Sequence, residues 1–94
     1  MGSRHIVLLY RKNGLSYNRK AFLASKKVGN SVMRNRARRL MREAYRLDTD
    51  GKALHQGYDM LFIARNTITE SKCAEVQKSI AAVLKRSGLT GAAL

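Results

Sequence analysis

The chain has 94 residues, enough for one modest hydrophobic core and too few for two. Nineteen Lys and Arg against six Asp and Glu leave a formal net charge of +13, a self-repulsion that points to a polyanionic partner, nucleic acid first. No apolar run reaches the roughly 20 residues that span a bilayer and no signal-peptide core opens the chain, so a soluble, cytoplasmic protein with no membrane partner is expected. Cys73 stands alone, which excludes an internal disulfide, and with only His5 and His55 beside it no zinc-type ligand set can form.

Met1-Gly2-Ser3 reads as an expression scar rather than native sequence. Residues 5–12 contain Ile6, Val7, Leu8, Leu9 and Tyr10, a β-branched and aromatic stretch closed by the turn signal Asn13-Gly14. A first strand is predicted there. The segment 21–28 alternates loosely, with Phe22, Ala24 and Lys26 on one face, and is predicted as a second strand paired antiparallel with the first. Gly29-Asn30-Ser31 supplies breaker and N-cap chemistry, and the spacing over 31–47 is that of a long helix. Residues 48–57 suit a surface loop. The continuous apolar run in 58–65 predicts a strand buried on both faces. Thr67 and Glu70 have capping-box spacing, and Cys73, Val76, Ile80, Val83 and Leu84 then repeat with helical period as far as about Arg86, where Ser87-Gly88 ends the helix. The tail 89–94 is small and featureless, and fraying is expected.

The long helix carries the chemistry. On a wheel with Arg34 at zero, Met33, Ala37, Leu40, Met41, Ala44 and Leu47 fall between about 220° and 340°, the expected core arc. Arg34, Asn35, Arg38, Arg39, Arg42 and Arg46 fall between about 0° and 140°, with Arg36 near 200°. With Lys26 and Lys27, positions 26–46 hold eight positive charges and one negative, Glu43, a net of +7 in 21 residues. Like charges at i, i+4 cost a helix roughly 0.2–0.5 kcal/mol per pair, and Arg34, Arg38, Arg42 and Arg46 repeat at that spacing. A face built at that cost is explained by a polyanion lying against it. Arginine suits the task because its planar fork grips phosphate oxygens and stacks on bases. The free backbone N–H groups at Asn30 and Ser31 add a weak anion site.

The run Lys26-Lys27-Val28-Gly29-Asn30-Ser31-Val32-Met33-Arg34-Asn35-Arg36-Ala37-Arg38-Arg39-Leu40-Met41-Arg42-Glu43 closely resembles the signature of the bacterial ribonuclease P protein family, in which Ser-Lys-Lys precedes a Gly-Asn-Ala-Val turn, Arg-Asn-Arg and a basic helix. Ser31 replaces the usual Ala, and Arg38 stands where Lys is common. The family's N-terminal helix is missing before Arg4, so the chain is expected to be an N-terminally truncated single domain over 1–94. Such a chain is expected to self-associate through an exposed apolar patch of Ile6, Leu8 and Tyr10 or their neighbours.

The resemblance implies an α/β (α+β) two-layer sandwich, a small mixed sheet with the long basic helix and the C-terminal helix, joined by a left-handed βαβ crossover. It also implies the protein subunit of an RNA-based endoribonuclease that needs Mg2+. In that enzyme the basic helix contacts the catalytic RNA subunit, and a cleft receives the single-stranded 5′ leader of precursor tRNA. By this analogy Arg34, Asn35, Arg36, Arg38, Arg39 and Arg42 bind the RNA subunit, with Lys26 and Lys27 nearby, and the reading of the helix itself adds Asn30 and Arg46. Tyr10 and Phe22 are the candidates for the leader cleft as stacking surface, with buried core the favoured reading of Phe22. Paired carboxylates, a Ser-His-Asp pattern and a metal cluster are all missing from the sequence, so no protein catalytic residue is expected, and both histidines read as surface groups. The rival reading is a ribosomal or other structural RNA-binding protein. A DNA-binding regulator ranks third, because the helix has no helix-turn-helix partner.

Overall fold

A computed structural model of the chain describes residues 2–50 and 54–89. The expected frayed tail beyond Leu89 and the Gly51 end of the loop lie outside those residues. The elements run β1 (Ile6–Lys12), β2 (Arg19–Leu23), α1 (Ser31–Thr49), β3 (Tyr58–Ala64), a 3-10 helix (Asn66–Glu70) and α2 (Cys73–Ser87).

The three strands form one mixed sheet in the order β1-β3-β2. β1 pairs antiparallel with β3, placing Leu8 opposite Phe62 and Tyr10 opposite Met60, while β2 pairs parallel with β3, placing Phe22 beside Phe62. The predicted hairpin between the first two strands does not form. β3 holds the most apolar residues of the three strands and takes the centre, which leaves the edges to strands carrying Arg11 and Lys12 or Arg19 and Lys20, where charge discourages further pairing. The Asn13-Gly14 turn closes on itself instead of on β2: Asn13 Oδ1 accepts the Leu15 N–H at 2.8 Å, and Gly14 sits at φ 74°. β2 also stops at Leu23, because Val28 N–H donates to Ser25 O at 3.0 Å and Gly29 N–H to Lys26 O at 3.2 Å, turning the chain where the strand was expected to continue.

Strand alternation and register put Ile6, Leu8, Met60, Phe62 and Ala64 on one face, all buried against α1 and α2. This is the two-layer α+β sandwich that the resemblance implied. β3 is therefore buried on one face only, with Leu61 and Ile63 half-buried on the open face, because both helices lie on the same side. Of the apolar patch expected at Ile6, Leu8 and Tyr10 or their neighbours, Ile6 and Leu8 are corrected, being fully buried, whereas Tyr10 and the neighbouring Leu9 are exposed, and the open face presents Leu9 and Leu23, 52% and 43% exposed.

α2 buries Val76, Ile80, Val83 and Leu84 completely and ends on Gly88, whose left-handed backbone lets the Leu89 N–H reach Leu84 O at 3.1 Å. The expected capping box is absent. Residues 66–70 form the 3-10 turn and the helix begins at Cys73 without a side-chain cap, because the Thr67 hydroxyl donates to Arg4 O at 3.0 Å instead. His5 was expected at the surface and is 4% exposed. Its ring lies against the Thr67 hydroxyl, with the Ser71 hydroxyl 3.1 and 3.2 Å from its two nitrogens, so it ties the start of β1 to the turn before α2.

Candidate nucleic-acid interface

The interface begins in the turn before α1. The turns at 25–29 hold Lys26 and Lys27 exposed just ahead of the helix. Gly29 adopts φ 144°, and a Cβ there would run into the Met33 side chain, so glycine is required for the chain to enter the helix at this angle. Asn30 caps α1, its Oδ1 accepting the Met33 N–H at 3.0 Å. The first turn of α1 itself carries no acidic residue.

The buried residues of α1 are Ala37, Met41, Ala44, Tyr45 and Asp48. On the wheel they span about 280° to 20°, turned by roughly 50° toward the arginines relative to the arc expected from the sequence. Met33 and Leu47 are consequently 43% and 41% exposed instead of buried. The cause is the aromatic wedge under the helix: the Tyr45 ring lies 5.4 Å from that of Phe62 and 6.0 Å from that of Phe22, which itself stacks on Phe62 at 5.4 Å. Seating Tyr45 on the sheet pulls that side of α1 inward.

The turn sorts the arginines. Arg34 and Arg38 become half-buried at the border of the core. Arg34 Nε is enclosed without a hydrogen-bond acceptor among the described residues, an unmet donor of the kind that costs about 1–3 kcal/mol. Arg38 is aimed by Asn35, whose Oδ1 accepts from the guanidinium at 2.9 Å. Arg42 lies over the Phe22 ring at 5.9 Å, and Lys20 of β2 lies over the Tyr45 ring at 5.3 Å. Lys20 was missed in the sequence, although its i, i+2 spacing from Phe22 puts both on the same face of β2. Arg39 is exposed farther round the helix.

Two predicted residues stand apart. Arg36 donates to Thr69 O at 3.0 Å on the other flank of α1, and Arg46 forms a two-point ion pair with Glu43. That pair lowers the Glu43 pKa and raises that of Arg46, chiefly through the shared hydrogen bonds. Among the described residues, Lys20, Lys26, Lys27, Arg34, Arg38, Arg39 and Arg42 have no carboxylate partner. The result is a band of uncompensated cations along α1 and the edge of β2, suited to a phosphate backbone.

Of the leader candidates, Phe22 is taken up in the aromatic wedge. Tyr10 is 40% exposed, with its ring 6.4 Å from that of Tyr58, and it borders a groove of about 450 Å³ that adjoins the band at Lys20 and includes Leu9, Arg11, Arg19 and Leu61 of the open sheet face. Arg19 and Arg11 there share Asp59, whose carboxyl is lowered to about 2 by hydrogen bonds from Arg19 and Asn13. Ser71 and Glu75 both lie beside His5, but Ser71 Oγ is buried and donates to Thr67 O at 3.0 Å, so the cluster is a tether and not a nucleophile. Burial lowers the His5 pKa, Arg4 adds to the effect, and Glu75 opposes it.

Residues 1–88 match the family model described as ribonuclease P. The chain belongs to the ribonuclease P protein family. It is 38% identical to the ribonuclease P protein component of Alkaliphilus oremlandii over the whole chain and 81% of that relative. It is 44% identical to that of Pelotomaculum thermopropionicum over 93% of the chain and 76% of the relative. Among solved structures, the ribonuclease P protein of Staphylococcus aureus superposes with a TM-score of 0.79 at 26% identity, covering 97% of this chain and 82% of that one. The ribonuclease P protein of Thermotoga maritima gives 0.77 at 28% identity, covering 92% and 80%. A ribonuclease P subunit, part of a tRNA-processing ribonucleoprotein, is thus the function the chain carries, and the ribosomal alternative is not favoured.

Proposed function

We propose that the α1 face binds the catalytic RNA subunit of ribonuclease P and that the protein assists removal of the 5′ leader from precursor tRNA without supplying a catalytic group. The observation that carries this reading is the band of cations from Lys26 through Arg42, joined by Lys20, that have no carboxylate partner among the described residues. Catalytic RNA and substrate repel one another as dense polyanions, and fixed arginines offset that repulsion, as does the Mg2+ on which the RNA-based reaction depends. Arg46 and Arg36 contribute less, since each already has a partner within the protein. The leader is assigned to the groove on the open sheet face, where Leu9 and Leu61 offer apolar surface and Arg11 and Arg19 offer charge, while the Tyr10 ring lies on the other face of β1 beside Tyr58. No helix among the described residues is long and apolar enough to cross a membrane, and the proposed site of action is the cytoplasm.

Single-turnover cleavage of precursor tRNA by the reconstituted holoenzyme across a magnesium series tests the reading. Replacing Arg38, Arg39 and Arg42 by Ala is expected to reduce cleavage at low Mg2+ and to leave most of the rate at high Mg2+. A triple variant as active as the parent at the low end refutes the assignment of α1 to the RNA subunit.

A further inference from the structure

Away from α1, three more cations converge on one groove. Arg4 in the segment before β1 and Lys78 and Arg86 on α2 line a space of about 460 Å³ together with His5, Ser79 and Glu75. Their side chains bring three permanent positive charges and one negative to it. Arg86 donates to Gly2 O at 2.8 Å. Among the described residues none of the three cations has a carboxylate partner, since the ion pair of Glu75 is with His5.

The groove is remote from the α1 face. β1 and β2 are opposite edges of the sheet. The α1 face meets the sheet beside β2, at Lys20 and Phe22, whereas this groove begins at the residues leading into β1. On α2, with Val76 at zero, Lys78, Glu75 and Arg86 lie between about 200° and 280°, and Cys73 lies near 60°. The Cys73 side packs on the core that α2 shares with Ala37, Met41 and Ala44 of α1. An RNA resting on α1 does not reach the far flank of α2 without wrapping the molecule. Lys78 and Arg86 are also spaced by about 12 Å along the helix axis, enough to engage more than one phosphate of a single strand.

We propose that this groove holds the sugar–phosphate backbone of the precursor tRNA, as a contact separate from both the α1 face and the open sheet face. The proposal rests on α1 being the RNA-subunit contact, so that the opposite edge is left for the second RNA. Arg4, Lys78 and Arg86 attract its phosphates, and Glu75 opposes them.

The test uses the holoenzyme, with precursor tRNA as the probe, and measures two affinities: precursor for holoenzyme, and RNA subunit for protein. The double variant Arg4→Glu/Lys78→Glu is expected to weaken precursor binding about ten-fold and flatten its salt dependence, with affinity for the RNA subunit unchanged. Glu75→Gln is expected to tighten precursor binding about two-fold. Should the double variant fail to fold by circular dichroism, Lys78→Ala and Glu75→Gln, both at exposed positions, decide the matter by their opposite signs. Precursor binding that does not move, as an acidic protein segment in this groove would give, overturns the proposal. So does a parallel loss of RNA-subunit affinity, which would make the groove a contact of that RNA instead. The Arg38, Arg39 and Arg42 triple variant runs alongside: if it leaves RNA-subunit affinity intact, the reading of α1 fails, while the precursor measurements judge the groove independently.

Discussion

The Arg42 guanidinium lies 5.9 Å from the centre of the Phe22 ring, at the seam between α1 and β2. The ring fixes the plane of a side chain that otherwise has many rotamers, so less freedom is lost when the guanidinium meets a phosphate. Arg42→Lys keeps the charge and loses the stacked fork. Affinity for the RNA subunit is expected to fall several-fold with the salt slope unchanged, whereas Arg42→Ala lowers the slope by about 0.9 as well. Titrations at four potassium chloride concentrations distinguish the two, and equal slopes for Lys and Ala would rule out a phosphate contact.

Asn30 separates folding from binding. Asn30→Ala removes the hydrogen bond to the Met33 N–H and is expected to cost about 1 kcal/mol in urea unfolding. Asn30→Asp keeps the cap and favours the helix dipole, yet places a negative charge beside Lys26 and Lys27. It is expected to match the parent in stability and to bind RNA more weakly. An Asp variant that binds as well as the parent would remove Asn30 from the interface.

His5 makes stability depend on mild acidity. Its pKa is lowered in the folded protein by burial, so the unfolded chain takes up a proton more readily. The stabilising contribution is complete above the ordinary histidine value near 6.5 and declines as pH falls toward the lower folded value. Thermal unfolding at pH 7.5 and 5.5 should show a loss on acidification that His5→Asn reduces. An unchanged pH dependence in that variant would exclude His5 as its source.

Asp59 acts in a lower window. Hydrogen bonds from Arg19 and Asn13 hold its carboxyl at about 2, against an ordinary value near 3.9. Its contribution is therefore constant from pH 5 upward and is lost as pH drops through about 4 toward 2. Asp59→Asn should be less stable than the parent at pH 7 and converge with it only as pH falls to about 2. A difference that persists unchanged in strong acid would mean the ion pairs with Arg19 and Arg11 are not its cause.

Helical periodicity and capping residues were enough to define α1, because Asn30, the apolar spacing and the arginine repeat are all local signals, and the family signature from Lys26 to Glu43 is a local signal too. The same holds for the end of α2 at Gly88. Strand order was not legible. A strand segment records its own alternation and nothing about its neighbour, and only the competition among three strands for one apolar centre put β3 between β1 and β2. The burial of His5 depended on Thr67 and Ser71, more than sixty residues away. Which arginines remain available was likewise a tertiary decision: the Tyr45 ring, seated against Phe22 and Phe62, turned α1 on its axis, drew Arg34 and Arg38 to the core border, exposed Met33 and Leu47, and brought Lys20 into the band. A wheel drawn from sequence weighs each apolar residue alike, whereas the packed helix rotates to bury its largest ring against the ring opposite it.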